Sequence, residues 1–101
     1  MKIVTKIEDS KATIELGGKL TVNTSPELTA AVDQLPHTVY DLDIDMKEVS
    51  YVASAGLRVL VAADKLAVKR GGTMRLLHPC EEVMEVFEMT GLNEVFEIVT
   101  D

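Results

Sequence analysis

The sequence predicts an α/β domain: an open, mixed β-sheet of four to five strands in the order ββαβαβαβ, with its helices on one face only. Three observations carry that expectation. The chain opens with two closely spaced strand signals, which pair antiparallel when joined by a short turn. It then alternates helix and strand signals, the mark of βαβ crossovers. The stretch "VYDLDIDM" alternates apolar and acidic residues, whereas a strand held between two helical layers is apolar on both sides.

The elements follow in chain order. Residues 3–8 and 12–16 read as strands, the second because Ala12, Ile14 and Leu16 alternate with Thr13 and Glu15. "EDSK" suits the turn between them, and Gly17 and Gly18 end the second strand. A helix is expected over 25–35, capped by Thr24 or Ser25, with Pro26 in its first turn and Glu27 near the positive end of its dipole. Leu28, Ala31, Val32 and Leu35 give it one apolar face, and Pro36 stops it. In "VYDLDIDM", Tyr40, Leu42, Ile44 and Met46 point one way; Asp41, Asp43 and Asp45 point the other, as a solvated row. "KEVSYVA" reads as a loop, followed by a long helix over 55–69 that ends at "RGG". "TMRLLH" is a short strand. Pro79 opens a third helix with Cys80, Val83, Met84 and Phe87 on one face and Glu81, Glu82, Glu85 and Glu88 away from it. Gly91 ends that helix, and "EVFEIV" is the last strand.

Composition narrows the function. The 101 residues form one domain, 1–101, with room for a single core. A net charge of -7 argues against nucleic acid, whose phosphates need a basic footprint. The single cysteine, Cys80, forms no internal disulfide, and "MKIVTKIEDS" lacks the apolar stretch of a signal peptide. The apolar run over 57–63 is too short to span a bilayer, so the expected location is cytoplasmic, with no membrane partner. His37 and His78 lie beside prolines without a second ligand at metal spacing, so no metal or other cofactor is expected. "GGKLT" resembles the tail of a phosphate-binding loop but lacks the upstream glycine. Nothing assembles a nucleophile, a base and an oxyanion hole, so the protein reads as a non-enzyme. A phosphocarrier would need a catalytic histidine at a helix start, which neither histidine supplies.

Ser54 stands apart because it falls where the loop becomes the long helix. Serine is a preferred N-cap, which would explain it without further function. Gly56 two residues on costs about 0.5–1 kcal/mol inside a first turn relative to alanine. It fits either close packing on a neighbouring strand or the approach of another molecule to bare amides. Arg58, Lys65 and Lys69 fall on one stripe of the same helix, either a solubilising face or a contact for an acidic partner.

The stretch "DMKEVSYVASAGLRVLVAADKLAVKRGGTMRLL" resembles the central motif of STAS domains, in particular bacterial anti-sigma factor antagonists. "GGKLTVNTSPEL" is similar to the family's second strand, loop and first helix, and "EVMEVFEMTGLNEVFEI" to its last helix and strand. The resemblance implies the STAS fold and a partner-switching role. Such a protein binds an anti-sigma factor that is also a GHKL-type serine kinase, and so releases a sigma factor. Phosphorylation ends that binding and a PPM-type phosphatase restores it. On this resemblance Ser54 is the phosphoacceptor, and the partner surface comprises Thr21, Asn23, Ala53, Ser54, Ala55, Gly56, Leu57, Arg58 and Lys65. The free protein is expected to be a monomer or weak dimer. Two positions depart from the family pattern: Ala53 and Thr21 stand where aspartates are usual. Losing both carboxylates either eases placement of a phosphate or leaves the site unread by a kinase. The alternative is a non-phosphorylated STAS subunit, regulatory or scaffolding, of another signalling or transport assembly.

Overall fold

The computed structural model describes residues 1–100. Its elements are β1 (Lys2–Glu8), β2 (Lys11–Leu20), α1 (Ser25–Asp33), β3 (Asp41–Val52), α2 (Ser54–Lys69), β4 (Met74–Leu77), α3 (Glu81–Thr90), a 3-10 turn (Leu92–Glu94) and β5 (Glu97–Val99). The five strands lie side by side in chain order. β1 runs antiparallel to β2, and every later pair is parallel. Each crossover steps to the adjacent strand in the same direction. With right-handed connections that places all three helices on one face, as the aspartate alternation predicts.

That face holds the core. Ala12, Ile14 and Leu16 of β2, Leu42, Ile44 and Met46 of β3, and Met74 and Leu76 of β4 are buried beneath Leu28, Val32, Leu60, Ala63, Ala67, Val83 and Phe87 of the helices. Phe96 closes the far edge, packing edge-on against Phe87 with ring centroids 5.6 Å apart. Tyr40, expected in the buried row, lies before β3 and is exposed, because the strand starts only at Asp41.

Two expected strand ends are overturned. β2 continues through Gly17 and Gly18 to Leu20, and β3 continues through "KEVSYV" to Val52, so neither the glycines nor that segment is a terminus or a loop. The reason lies in the register. Glu15 pairs with Asp45 but Gly17 with Glu48, and Gly18 pairs with Val49 but Lys19 with Tyr51. β3 carries one extra residue at each irregularity, which are bulges. Its buried positions after Met46 become Val49 and Val52, a spacing of three that masks the strand period. The remaining differences are smaller. α1 ends at Asp33 with Leu35 still buried beyond it, α3 starts at Glu81 after Pro79, and β5 is only three residues long.

The aspartate row is not uniformly solvated. Asp43 is 4% exposed on the helix-free face. Arg75 grips it through Nε to Oδ1 at 2.8 Å and Nη2 to Oδ2 at 2.7 Å, and Lys11 Nζ sits 2.8 Å from Oδ2. The long stems of these cations lie across the carboxylate and exclude water from it. Asp41 and Asp45 are half-buried, the former accepting from the Thr73 amide at 3.1 Å.

The sheet has two poles. The carboxyl ends of the parallel strands form one of them, and Met1 also lies there, its Cα 3.9 Å from a Cβ position at Gly18. Thr100 leaves β5 at the same pole. At the opposite pole, Arg70 Nη1 donates to the carbonyls of Pro36 and Val39 at 3.1 and 2.9 Å, and Gly72 abuts the Tyr40 backbone so closely that no side chain fits.

Burial raises the pKa of Asp43, but the hydrogen bonds and charges of Arg75 and Lys11 outweigh it and hold the carboxyl below its ordinary value of 3.8. Because the folded value is depressed, the associated stability is present above 3.8 and lost as pH falls through the folded value. Asp43→Asn is expected to lose about 1.5–3 kcal/mol at neutral pH. Urea unfolding should show the gap to the native protein closing as the pH drops below 3.8.

Candidate functional site

The parallel pairing of β2 and β3 builds the site. Leu20 pairs with Val52, so the segments that follow each of them emerge side by side at the carboxyl pole. Ligand-binding segments of open α/β sheets occupy this position. The Ala53 amide donates to the Leu20 carbonyl at 2.8 Å, and the chain then turns into α2. Ala53 is the N-cap, with extended backbone, and Ser54 is the first helical residue. Serine is therefore not the cap, contrary to the plainest reading of the sequence. The cap position has no side chain able to bond, and the Ser54 side chain is exposed.

Gly56 resolves in favour of packing. It is buried, and a Cβ there would lie 2.6 Å from Leu20 Cγ, 2.8 Å from its Cδ2 and 3.1 Å from its carbonyl oxygen. The glycine lets the first turn of α2 seat directly on the end of β2. The backbone amides of Ser54, Ala55 and Gly56 precede the first intrahelical bond, which runs from the Leu57 amide to the Ala53 carbonyl at 3.0 Å. The helix mouth thus offers partial positive charge beside an exposed hydroxyl.

The facing loop is fixed by its threonines. Thr24 Oγ1 donates to the Lys19 carbonyl at 2.7 Å and accepts from the Thr21 amide at 2.8 Å. The Ser25 amide donates to the Thr21 carbonyl at 2.8 Å. Thr24 occupies the N-cap of α1 as expected, but its hydroxyl secures the loop rather than the helix.

Of the expected partner residues, Asn23, Ser54, Arg58 and Lys65 are exposed, and Thr21, Ala53 and Ala55 are half-buried around them. Gly56 and Leu57 face the core. Arg58 and Lys65 continue along α2 on the stripe that begins at Ser54. The sequence reading missed two apolar residues at this pole. Val22 in the loop is 70% exposed, and Tyr51 near the end of β3 is 50% exposed. Their signal was an apolar residue inside the polar "TVNT" and a tyrosine taken to lie in a loop. His37 follows α1 and His78 follows the carboxyl end of β4, its amide donating to the Val99 carbonyl at 2.8 Å, and no group of three or more metal-ligating side chains occurs among the described residues. No helix among them is long and apolar enough to cross a membrane.

Residues 3–100 match the family described as "Mlab, STAS domain". The chain belongs to the STAS domain family. An anti-sigma-B factor antagonist of Bacillus subtilis (strain 168) is 31% identical over 93 residues, covering 92% of this chain and 85% of that protein. The crystal structure of an anti-sigma factor antagonist from Mycobacterium paratuberculosis superposes with a TM-score of 0.86 at 21% identity, over 99% of this chain and 86% of that one. The Bacillus cell fate determinant SpoIIAA in its phosphorylated form has the same fold, with a TM-score of 0.76 at 17% identity over 99% of this chain and 93% of its own. The STAS fold and the likeness to anti-sigma factor antagonists agree with the sequence reading.

The Leu20–Gly56 seat makes a testable prediction. Gly56→Ala should destabilise the domain by about 1–3 kcal/mol despite alanine's better helix propensity. Thermal or urea unfolding of Leu20→Ala, Gly56→Ala and the double variant should show the Gly56→Ala loss shrinking when Leu20 is shortened.

Proposed function

We propose that this STAS protein is an anti-sigma factor antagonist: it docks an anti-sigma factor with GHKL-type serine kinase activity through the Ser54 pole, frees a sigma factor, and is switched off by phosphorylation of Ser54. A PPM-type phosphatase resets it. The observation that carries this reading is the exposed Ser54 hydroxyl on the first residue of a helix whose seat on Leu20 does not involve it.

The energetics suit a binding switch. A phosphoserine brings about -1.5 to -2 charge at neutral pH. At a helix N-terminus that charge is favoured by about 0.3–1 kcal/mol. Arg58, one turn further along the exposed stripe, is spaced to pair with it. The fold therefore absorbs the modification. In a docked interface, an unmatched charge costs about 2–5 kcal/mol, a loss of roughly thirtyfold to a few thousandfold in affinity. Val22 and Tyr51 supply exposed apolar side chains at the same pole, and Arg58 and Lys65 supply cations for an acidic partner.

Ala53 and Thr21 favour a second reading, a STAS subunit of another signalling or transport assembly that is not phosphorylated. Neither offers the carboxylate that a kinase recognising an acidic surround would meet. Incubation with the GHKL-type kinases of the protein's own host and ATP separates the two. Intact-mass analysis should show one added phosphate, absent from Ser54→Ala; no addition in the native protein selects the second reading.

Ser54→Asp should keep the native unfolding midpoint and lose capture of the anti-sigma factor by about thirtyfold or more, whereas Ser54→Ala keeps it. Equal capture by the native protein and Ser54→Asp in a pull-down would refute the switch.

A further inference from the structure

The free edge of the sheet at β1 is self-complementary, and we propose that it is the dimer interface of this protein: two copies join β1 to β1 about a two-fold axis at Thr5 and form one continuous ten-stranded sheet. The count of ten is twice the five strands of one copy. The inference stands apart from the Ser54 reading.

The backbone parity comes from the hairpin. Glu8 and Lys11 close the two-residue turn, so they form a hydrogen-bonded pair, as do Lys6 with Thr13 and Val4 with Glu15. The intervening residues Ile3, Thr5 and Ile7 then turn their amides and carbonyls outward, away from β2. Pairing a second copy antiparallel about Thr5 sets Thr5 opposite Thr5 and Ile3 opposite Ile7, all outward-bonding positions. In that register, side chains also match on both faces. On the helix side, Ile7, 50% exposed, meets the half-buried Ile3 of the other copy. On the helix-free side, Lys2 meets Glu8 twice, once on each side of the axis.

Lysines on an edge strand ordinarily discourage pairing. Here Lys6 already leans onto its own sheet, 3.5 Å from Glu15, and Lys2 gains Glu8. In a molecule of net charge -7, β1 carries two lysines against one glutamate, so the seam is a locally cationic part of an acidic surface. The other edge, β5, offers only three residues. The axis is perpendicular to the sheet, so the helices of both copies stay on one side. The two Ser54 poles point in opposite directions and remain free.

Sedimentation velocity of the full chain over a micromolar-to-millimolar series tests this. A concentration-dependent dimer is expected in the native protein and in Ser54→Ala. Glu8→Lys should weaken it by about tenfold or more, because two attractive pairs become repulsive. Adding Lys2→Glu to Glu8→Lys should restore it, although both changes worsen contacts within the chain, where residue 8 faces Lys11 and residue 2 approaches Glu48 at 4.0 Å. Thr5→Pro, which blocks an outward amide and spares the pairing with β2, should abolish the dimer with the circular dichroism unchanged. A monomer at every concentration, a dimer indifferent to Glu8→Lys, or a loss that Lys2→Glu does not reverse overturns the proposal.

Discussion

The contact between Leu20 and Gly56 is the constraint on which the site depends. A helix following a parallel strand could begin at many heights above the sheet. Here the missing Cβ lets the first turn descend onto the last residue of β2, and the Ala53 amide locks the descent with a bond to the Leu20 carbonyl. These two restraints decide that the next side chain, Ser54, stands at the rim rather than in the core. Anchoring and display thus fall to adjacent residues, and the hydroxyl carries no structural duty that a modification would disturb.

The second constraint is the bare face of a largely parallel sheet. Parallel strands are usually covered on both sides. This chain leaves one side uncovered by alternating its residues and by burying a carboxylate under two cations whose stems act as a thin apolar cover. Asp43 binds β2, β3 and β4 across that face, since Lys11, Asp43 and Arg75 come from the three neighbouring strands. The helices can therefore all lie on the other side.

How much of this was legible depended on whether local spacing or tertiary fit set the outcome. The alternation of Leu42, Ile44 and Met46 with aspartates gave the one-sided sheet, and the helical spacing of apolar residues in α1 and α3 gave their buried faces. The extension of β3 was hidden because its bulges change the burial spacing from two to three, a pattern that no strand template matches. Asp43 looked identical to Asp41 and Asp45, since only the sheet register brings Arg75 opposite it. Gly56 was recognised as unusual, but only the position of Leu20 could say whether a partner or the protein's own strand occupied the space. Ser54 was found for its placement between loop and helix, although the boundary lay one residue earlier than the capping rule implied.

The position of the two chain ends has a practical consequence. Met1 lies by Gly18 and Thr100 leaves β5 at the pole that displays Ser54, while the opposite pole is clamped by Arg70 and the close approach at Gly72. A module or affinity tag fused through either end therefore leaves from the half of the molecule that carries Ser54 rather than from the clamped pole. Tether length and stiffness would then govern whether such an appendage shades the serine or swings clear, so that a short rigid fusion becomes a steric gate in its own right.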